Sequence, residues 1–301
     1  MPISGSEFLW GFVHPGLLVV LVGVVVSLSG VVSRWPNCAR AGAAFVLGVA
    51  FLLGWQGILF GSQGVTTKLE WNTERFGTHW IPYAAVLAVL ISVLDVFIPG
   101  KIGRAIQALL FIAFLPVAAW FLVPDYRPHE EIRTWIIIGF SLALGVTWCA
   151  IDFASRKQVG PFPVLLGPVL IGAVAAATIA LLPLLSAAKM CGVLVAVMTG
   201  AALFARKNQE AFARPAAALF AVVFCGLLYS AYAGIPGSFA GENFRRDLAA
   251  TLAAVSPWLF FLFGWGKNED GRLTWSRGGL VTVLCLVPAI AGLALSYLQG
   301  Q

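Results

Sequence analysis

The chain has 301 residues, of which 60% are hydrophobic and 11% are charged, and its formal net charge is +6. Soluble domains carry about a quarter charged residues, so a chain this apolar would not cover its surface with polar groups in water. The composition predicts an integral membrane protein with the lipid bilayer as its partner, and the lack of a Lys- and Arg-rich run argues against nucleic acid as a partner.

Apolar segments of suitable length recur along the whole chain. A helix needs about 20 mostly apolar residues to span a bilayer, and ten segments approach that length. They predict an all-α, polytopic bundle of transmembrane helices in a single membrane domain, residues 1–301. In chain order the predicted spans are roughly 15–33, 42–61, 80–98, 105–124, 135–154, 162–183, 187–205, 215–233, 248–266 and 278–298. The stretch 162–205 is too long for one span, so LLPLLSAAKM predicts a tight hairpin between two.

Basic residues are unequally divided between the two sets of predicted loops. One set holds 12 of the 19 lysines and arginines, and the alternate set holds the other seven. Because cytoplasmic loops are the richer in these residues, the bias predicts a protein of the cytoplasmic (inner) membrane with both termini on the outer side. Trp10, Trp80 and Trp135 then fall at outer span ends, and Trp148 and Trp265 at inner ends, as expected of an aromatic belt.

Two aspartates lie near the ends of predicted spans. Lys101 and Arg104 follow Asp95, and Arg156 follows Asp152 by four residues, on the same helical face. A carboxylate near a helix C-terminus is unfavourable unless a nearby cation offsets the helix dipole. We therefore expect both aspartates to form ion pairs at the cytoplasmic interface. The alternative is a proton or cation site that opens to the cytoplasm.

Prolines interrupt two spans that lie five apart in the chain. Pro116 and Pro257 fall in the middle of predicted spans four and nine, where each removes a backbone hydrogen bond. Broken helices often line transporter sites. Spans three and eight also open alike, with PYAAVLAVLISVL and PAAALFAVVFCGLL. Together these features predict a five-plus-five inverted repeat with halves 1–160 and 161–301, in which spans four and nine face each other.

Amide side chains are scarce within the predicted spans. Gln56 and Gln107 are the two that occur there. Either residue lines a pore and contacts a solute, or it forms a hydrogen bond between helices. The sequence leaves both interpretations open.

The side chains that usually hold metals or cofactors are scattered. Four of the five cysteines lie in apolar runs, and no CxxC pair occurs. His79 and His129 stand near glutamates in predicted external loops, but the spacing matches no zinc motif such as HExxH. We therefore predict no metal and no cofactor. Since no nucleophile–base pair emerges, an enzyme is the third-ranked interpretation.

Two functions remain. The mid-span prolines favour a permease for a small solute or lipid-like molecule, with Gln56, Gln107, Pro116 and Pro257 as candidate substrate-binding residues. The scarcity of charges at mid-bilayer favours a non-catalytic membrane subunit or scaffold of a larger complex. Either protein could form a homo- or hetero-oligomer.

Overall fold

The computed structural model describes residues 5–29, 34–60, 80–98, 100–123, 133–157, 165–181, 185–205, 209–233, 244–264 and 275–299. This part of the chain is almost entirely helical and contains no strand, so the predicted all-α class is confirmed. The α-helices are α1 (Gly5–Phe8), α2 (His14–Leu28), α3 (Pro36–Phe60), α4 (Ile81–Ser92), α5 (Leu94–Phe97), α6 (Gly100–Leu122), α7 (Arg133–Lys157), α8 (Leu166–Leu181), α9 (Leu185–Ala205), α10 (Gln209–Ala233), α11 (Phe244–Val255) and α12 (Trp275–Gln299).

Six helical segments are long and apolar enough to cross a membrane, and four shorter apolar helices accompany them. The stretch 162–205 forms two helices, α8 and α9, as the hairpin prediction requires. All ten segments overlap the predicted spans, although the first two begin six residues earlier than predicted. Only six of them meet the length condition, however, so the count of ten spans remains a prediction. The six are Leu9–Val26, Pro36–Ile58, Gly100–Leu122, Arg133–Ala154, Ala211–Tyr232 and Gly279–Leu298.

Two of the predicted spans are not uniform α-helices, and a third is preceded by irregular winding. Before the predicted span 15–33, a π-helical turn, Leu9–Val13, joins α1 to α2, and Pro15 occupies the first turn of α2. The predicted span 80–98 breaks at Val93, which lies outside helical geometry with φ −115° and ψ 10°. After α11 the chain continues as a 3-10 helix, Ser256–Gly264, that begins beside Pro257. Proline lacks the amide hydrogen that α-helical bonding needs, so a change of winding at this position is expected.

One helix is buried at the centre of the bundle, and other helices present apolar faces to the outside. In α10, 94% of the segment Ala211–Tyr232 is buried, because this alanine-rich helix packs against α3, α4, α7 and α9. In α6 only 22% of the apolar segment is buried, and the side chains of Leu109 and Ile112 are 66% and 64% exposed. Contiguous apolar surfaces of this kind are rare on soluble monomers and are compatible with a protein embedded in a membrane.

Ion pairs between helices lie at two ends of the bundle. At one end Arg214, from the start of α10, meets Asp95 and Asp152, which follow α4 and end α7. At the other end Lys189 of α9 pairs with Glu7 of α1, with a Nζ–Oε1 distance of 3.0 Å. We call the first the Arg214 end and the second the Glu7 end. Under the predicted orientation, the Arg214 end is cytoplasmic.

The contacts between the two halves of the chain are not reciprocal. A two-fold axis that relates residues 1–160 to 161–301 would exchange α4 with α10 and α7 with α12. Helix α10 packs extensively against α7, whereas α4 and α12 share no extensive contact among the described residues. The five-plus-five inverted repeat is therefore not confirmed.

Candidate functional site

An ion-pair network closes the Arg214 end of the bundle. Arg214 Nη1 donates to Asp95 Oδ2 at 2.9 Å, and Arg214 Nε lies 3.8 Å from Asp152 Oδ1. Arg40 of α3 adds a second cation, with its Nη1 3.7 Å from Asp95 Oδ2. Each of these side chains is between 17% and 25% exposed, so solvent screens the charges only in part. The network links α3, α5, α7 and α10.

The partners of Asp95 differ from those that the sequence suggested. Lys101 and Arg104 follow Asp95 closely in the chain, yet neither forms an ion pair with it in the described residues. Lys101 and Arg104 are both exposed. The side chain of Arg156, expected beside Asp152, lies outside what the structure describes. Tertiary packing, not sequence proximity, supplies the cations Arg40 and Arg214.

The other carboxylate oxygen of Asp95 has no hydrogen-bond partner among the described residues. Asp95 Oδ1 is buried and meets no donor in this part of the chain, although Oδ2 faces two guanidinium groups. A buried acceptor without a donor is unfavourable by about 1–3 kcal/mol. The network is therefore incompletely satisfied on one side.

Gln107 stabilises the end of helix α4, shortly before Asp95. Its Nε2 donates to the carbonyl oxygens of Ile91 and Ser92, at 2.9 and 3.0 Å. These are the last carbonyls of α4, which lose their usual amide donors when the helix ends at Val93. Gln107 thus forms a hydrogen bond between helices, and it also lines a cavity.

A small polar cavity of about 270 Å³ lies next to the network. It contains the guanidinium groups of Arg104 and Arg214, the carboxylate of Asp152 and the amide of Gln107. Apolar side chains of α6 and α7 complete its wall. Its lining residues are Ile91, Ser92, Arg104, Gln107, Ala108, Phe111, Trp148, Cys149, Asp152 and Arg214.

A larger cavity of about 610 Å³ lies toward the Glu7 end, between α7, α10 and α11 with the 3-10 helix. Its walls are mostly apolar and rich in aromatic rings. Pockets of roughly 300–1,000 Å³ with few polar groups are typical of small-molecule sites. The lining residues are Trp135, Ile136, Gly139, Phe140, Ala143, Cys225, Leu228, Tyr229, Tyr232, Asp247, Ala250, Thr251, Ala254, Val255 and Trp258.

The polar groups of the larger cavity are concentrated where α10 ends and α11 begins. The Tyr232 hydroxyl donates to Asp247 Oδ1 across this gap. Asp247 stands in the first turn of α11, where a carboxylate also complements the helix dipole. Phe140 and Tyr229 meet edge to face on the opposite wall, with ring centroids 5.3 Å apart.

A hydrogen-bonded cluster around Thr147 borders the larger cavity. Thr147 is fully buried on α7, and its hydroxyl accepts from Trp258 Nε1 at 3.1 Å. Cys225 Sγ of α10 lies 3.7 Å from the same hydroxyl. Trp258 and Cys225 line the larger cavity, whereas Trp148, the next residue after Thr147, lines the smaller one. Helix α7 therefore contributes residues to both cavities, with Thr147 between the two sets in the chain.

Three residues predicted to bind substrate do not line either cavity. Gln56 is half-buried on α3, and Pro116 is exposed on the outer face of α6, which continues unbroken through it. Pro257 is buried beside the larger cavity without lining it. The 3-10 helix packs mainly against α7 and α12, and α6 mainly against α7, α4 and α5. The two proline-containing spans are thus not principal neighbours.

The residues that surround the larger cavity were not singled out from the sequence. In the sequence Asp247 follows two arginines and so resembles a loop residue. Tyr232 and Trp258 resemble the aromatic residues that are common in transmembrane helices. The spacing of Tyr232 and Asp247 across a predicted hairpin is the signal that would have indicated a contact. His79 and His129 lie outside the described residues.

Comparison of the chain with protein-family models, with curated proteins and with solved structures finds no match in any of the three. The functional argument therefore depends on the geometry of the two cavities and of the network.

Proposed function

We propose that this chain is a multi-pass membrane protein, with ten spans and both termini outside, that moves a small, largely apolar molecule through the bundle along α7. The observation that supports this most directly is the pair of cavities, one toward each end of the bundle, to which α7 contributes residues. The larger cavity has the size and the apolar character of a binding site. The smaller cavity carries three charged side chains, Arg104, Asp152 and Arg214, and suits release into water.

The ion-pair network fits the role of a gate at the Arg214 end. Arg214 ties α10 to α5 and α7, so the helices cannot separate there while its contacts persist. Thr147, which stands on α7 between the residues that line the two cavities, makes weaker, neutral bonds to Trp258 and Cys225, each worth about 0.5–1.5 kcal/mol. Opening of the smaller cavity would therefore require the ion pairs to break, and closing of the larger cavity would accompany it.

The support for transport differs from the support that the sequence offered. Pro116 faces outward, and neither Pro116 nor Pro257 lines a cavity, so the paired prolines do not support transport. The cavities and the network replace them as the argument. A scaffold or non-catalytic subunit would need neither a 610 Å³ binding space nor a gate across four helices.

Two native cysteines allow a direct test of alternating access. Cys225 lines the larger cavity and Cys149 lines the smaller one. Variants that retain only one of these cysteines would be labelled in oriented membrane vesicles with a membrane-impermeant maleimide added to one side at a time. Cys149 is exposed and Cys225 is buried, so in the parent protein we expect Cys149 to react the faster of the two. Substitution Arg214→Gln should raise the labelling rate of Cys149 from the cytoplasmic side further and lower the slower labelling of Cys225 from the outer side.

A matched control breaks an ion pair at the opposite end. Glu7→Gln removes the pair with Lys189 and should not increase the labelling of Cys149. If Arg214→Gln leaves both rates unchanged, the network is not a gate and the scaffold function replaces transport.

A further inference from the structure

We propose that the larger cavity binds a lipophilic organic cation, a molecule that joins an ammonium group to an apolar or aromatic body. The inference depends on the proposed function only in treating this cavity as a small-molecule site. It goes further by assigning the charge and the shape of the ligand.

The charge follows from Asp247. Of the described residues that line the cavity, Asp247 alone carries a formal charge. Its side chain accepts a hydrogen bond from the Tyr232 hydroxyl, and no described cation lies within ion-pair distance of it. A partly buried carboxylate is favoured when a cation neutralises it. Among the described residues, that position is open to a ligand cation.

Aromatic rings supply the remaining recognition. An aromatic face carries a partial negative charge, so rings around a carboxylate favour a cation and disfavour an anion. Tyr232 lies beside Asp247, and the edge-to-face pair of Phe140 and Tyr229 presents ring surface to the same space. The five rings of the lining belong to Trp135, Phe140, Tyr229, Tyr232 and Trp258.

The rest of the lining indicates an apolar body on the ligand. Ile136, Ala143, Leu228 and Val255 offer no hydrogen bond from their side chains. The indole N–H of Trp258 already donates to Thr147, so it does not require a ligand acceptor. A highly polar solute such as a sugar would leave its hydroxyl groups unpaired against these walls.

The test uses a pair of ligands that differ only in charge. Benzyltrimethylammonium and neopentylbenzene have the same shape, with nitrogen in the first where carbon stands in the second. Purified protein in detergent would be dialysed against each compound, with equal detergent in both chambers so that uptake by micelles cancels. We expect the cation to bind about tenfold more tightly than the neutral compound, and Asp247→Asn to weaken the cation by about tenfold or more.

Three controls isolate the charge. Asp247→Glu keeps the carboxylate and should retain cation binding if Asp247→Asn proves unstable. Asp95→Asn changes a carboxylate at the opposite end and should leave the affinity unaltered. Ala143→Phe fills the larger cavity and should abolish the binding of both compounds.

Each unfavourable outcome overturns a definite part of the argument. Equal affinity for the two compounds, unchanged in Asp247→Asn, refutes the cation while the cavity remains a binding site. Failure of both compounds to bind also refutes the cation proposal. Neither result bears on the cysteine labelling, which tests the gate without any ligand.

Discussion

Arg214 and Asp95 are 119 residues apart in the chain, and the guanidinium of the first lies 2.9 Å from the carboxylate of the second. This contact joins the most buried helix of the bundle to the short helix that follows the break at Val93. Asp152 approaches the same guanidinium from α7. Arg214 therefore contacts two carboxylates from different helices, and Arg40 approaches the first of them as well.

Arg214→Gln should lower the stability of the folded protein substantially. The change removes the guanidinium that contacts both Asp95 and Asp152, and removal of one partner from a partly buried ion pair is unfavourable by about 2–3 kcal/mol. Thermal unfolding of the purified protein in detergent measures the effect. The double variant Asp152→Asn, Arg214→Gln should recover part of the loss, because it removes one of the carboxylates. Equal melting of Arg214→Gln and the parent protein would contradict the role of Arg214.

Gln107→Leu should destabilise the protein, whereas Gln56→Leu should have little effect. Gln107 Nε2 bonds the two carbonyls that end α4, and loss of those bonds leaves them unpaired at about 1–3 kcal/mol. Gln56 is half-buried and makes no hydrogen bond among the described residues. The two variants are compared by the same thermal unfolding. A larger loss for Gln56→Leu would show that the break at Val93 does not depend on Gln107.

Gly200→Ala should disturb the packing of α9 against α2. An added methyl group at Gly200 would lie 2.9 Å from Val19 Cβ and 3.1 Å from the carbonyl oxygen of Gly16, both fixed to the backbone. Small residues at such crossings let membrane helices approach closely. We expect a loss of about 1–3 kcal/mol from overpacking. Gly42→Ala is the matched control, since nothing lies within 4 Å of that position.

The orientation of the chain is testable at its C-terminus. The bias of 12 basic residues against seven predicts that both termini lie outside. A C-terminal alkaline phosphatase, which folds only outside the cytoplasm, should be active, and a C-terminal green fluorescent protein should be dark. The reverse pattern would invert the assignment of the two bundle ends.

Much of the secondary structure could be predicted from the sequence, because apolar length is a local property. Segments such as Arg133–Ala154 and Gly279–Leu298 lie within two residues of their predicted positions. The break at Val93 was not predicted, since nothing in ISVLDVF marks a helix end. The structure explains this break, because the amide of Gln107, from another helix, donates to the carbonyl oxygens that the break exposes.

The candidate site could be predicted only in part, because it depends on which helices become neighbours. The sequence showed that Asp95 and Asp152 needed cations, but the nearest in the chain were Lys101, Arg104 and Arg156. The structure supplies Arg214, which the predicted span 215–233 placed just outside the membrane. The position of a proline in the sequence likewise predicts a missing backbone hydrogen bond, but it does not indicate whether that side of the helix faces the protein or the outside. Pro116 faces outward.

The position of Thr147 gives the proposed transport an electrical consequence. Where cavities enter a membrane protein from both sides, the transmembrane voltage falls mainly across the thin barrier that remains, and one charge crossing 100 mV corresponds to about 2.3 kcal/mol. On the proposed path along α7, Thr147 and its partners Trp258 and Cys225 would form that barrier. A charged molecule that moved from beside Cys225 to beside Cys149 would cross most of the field within a few helical turns. Its movement would register as current, and the membrane potential would set the direction in which it accumulates.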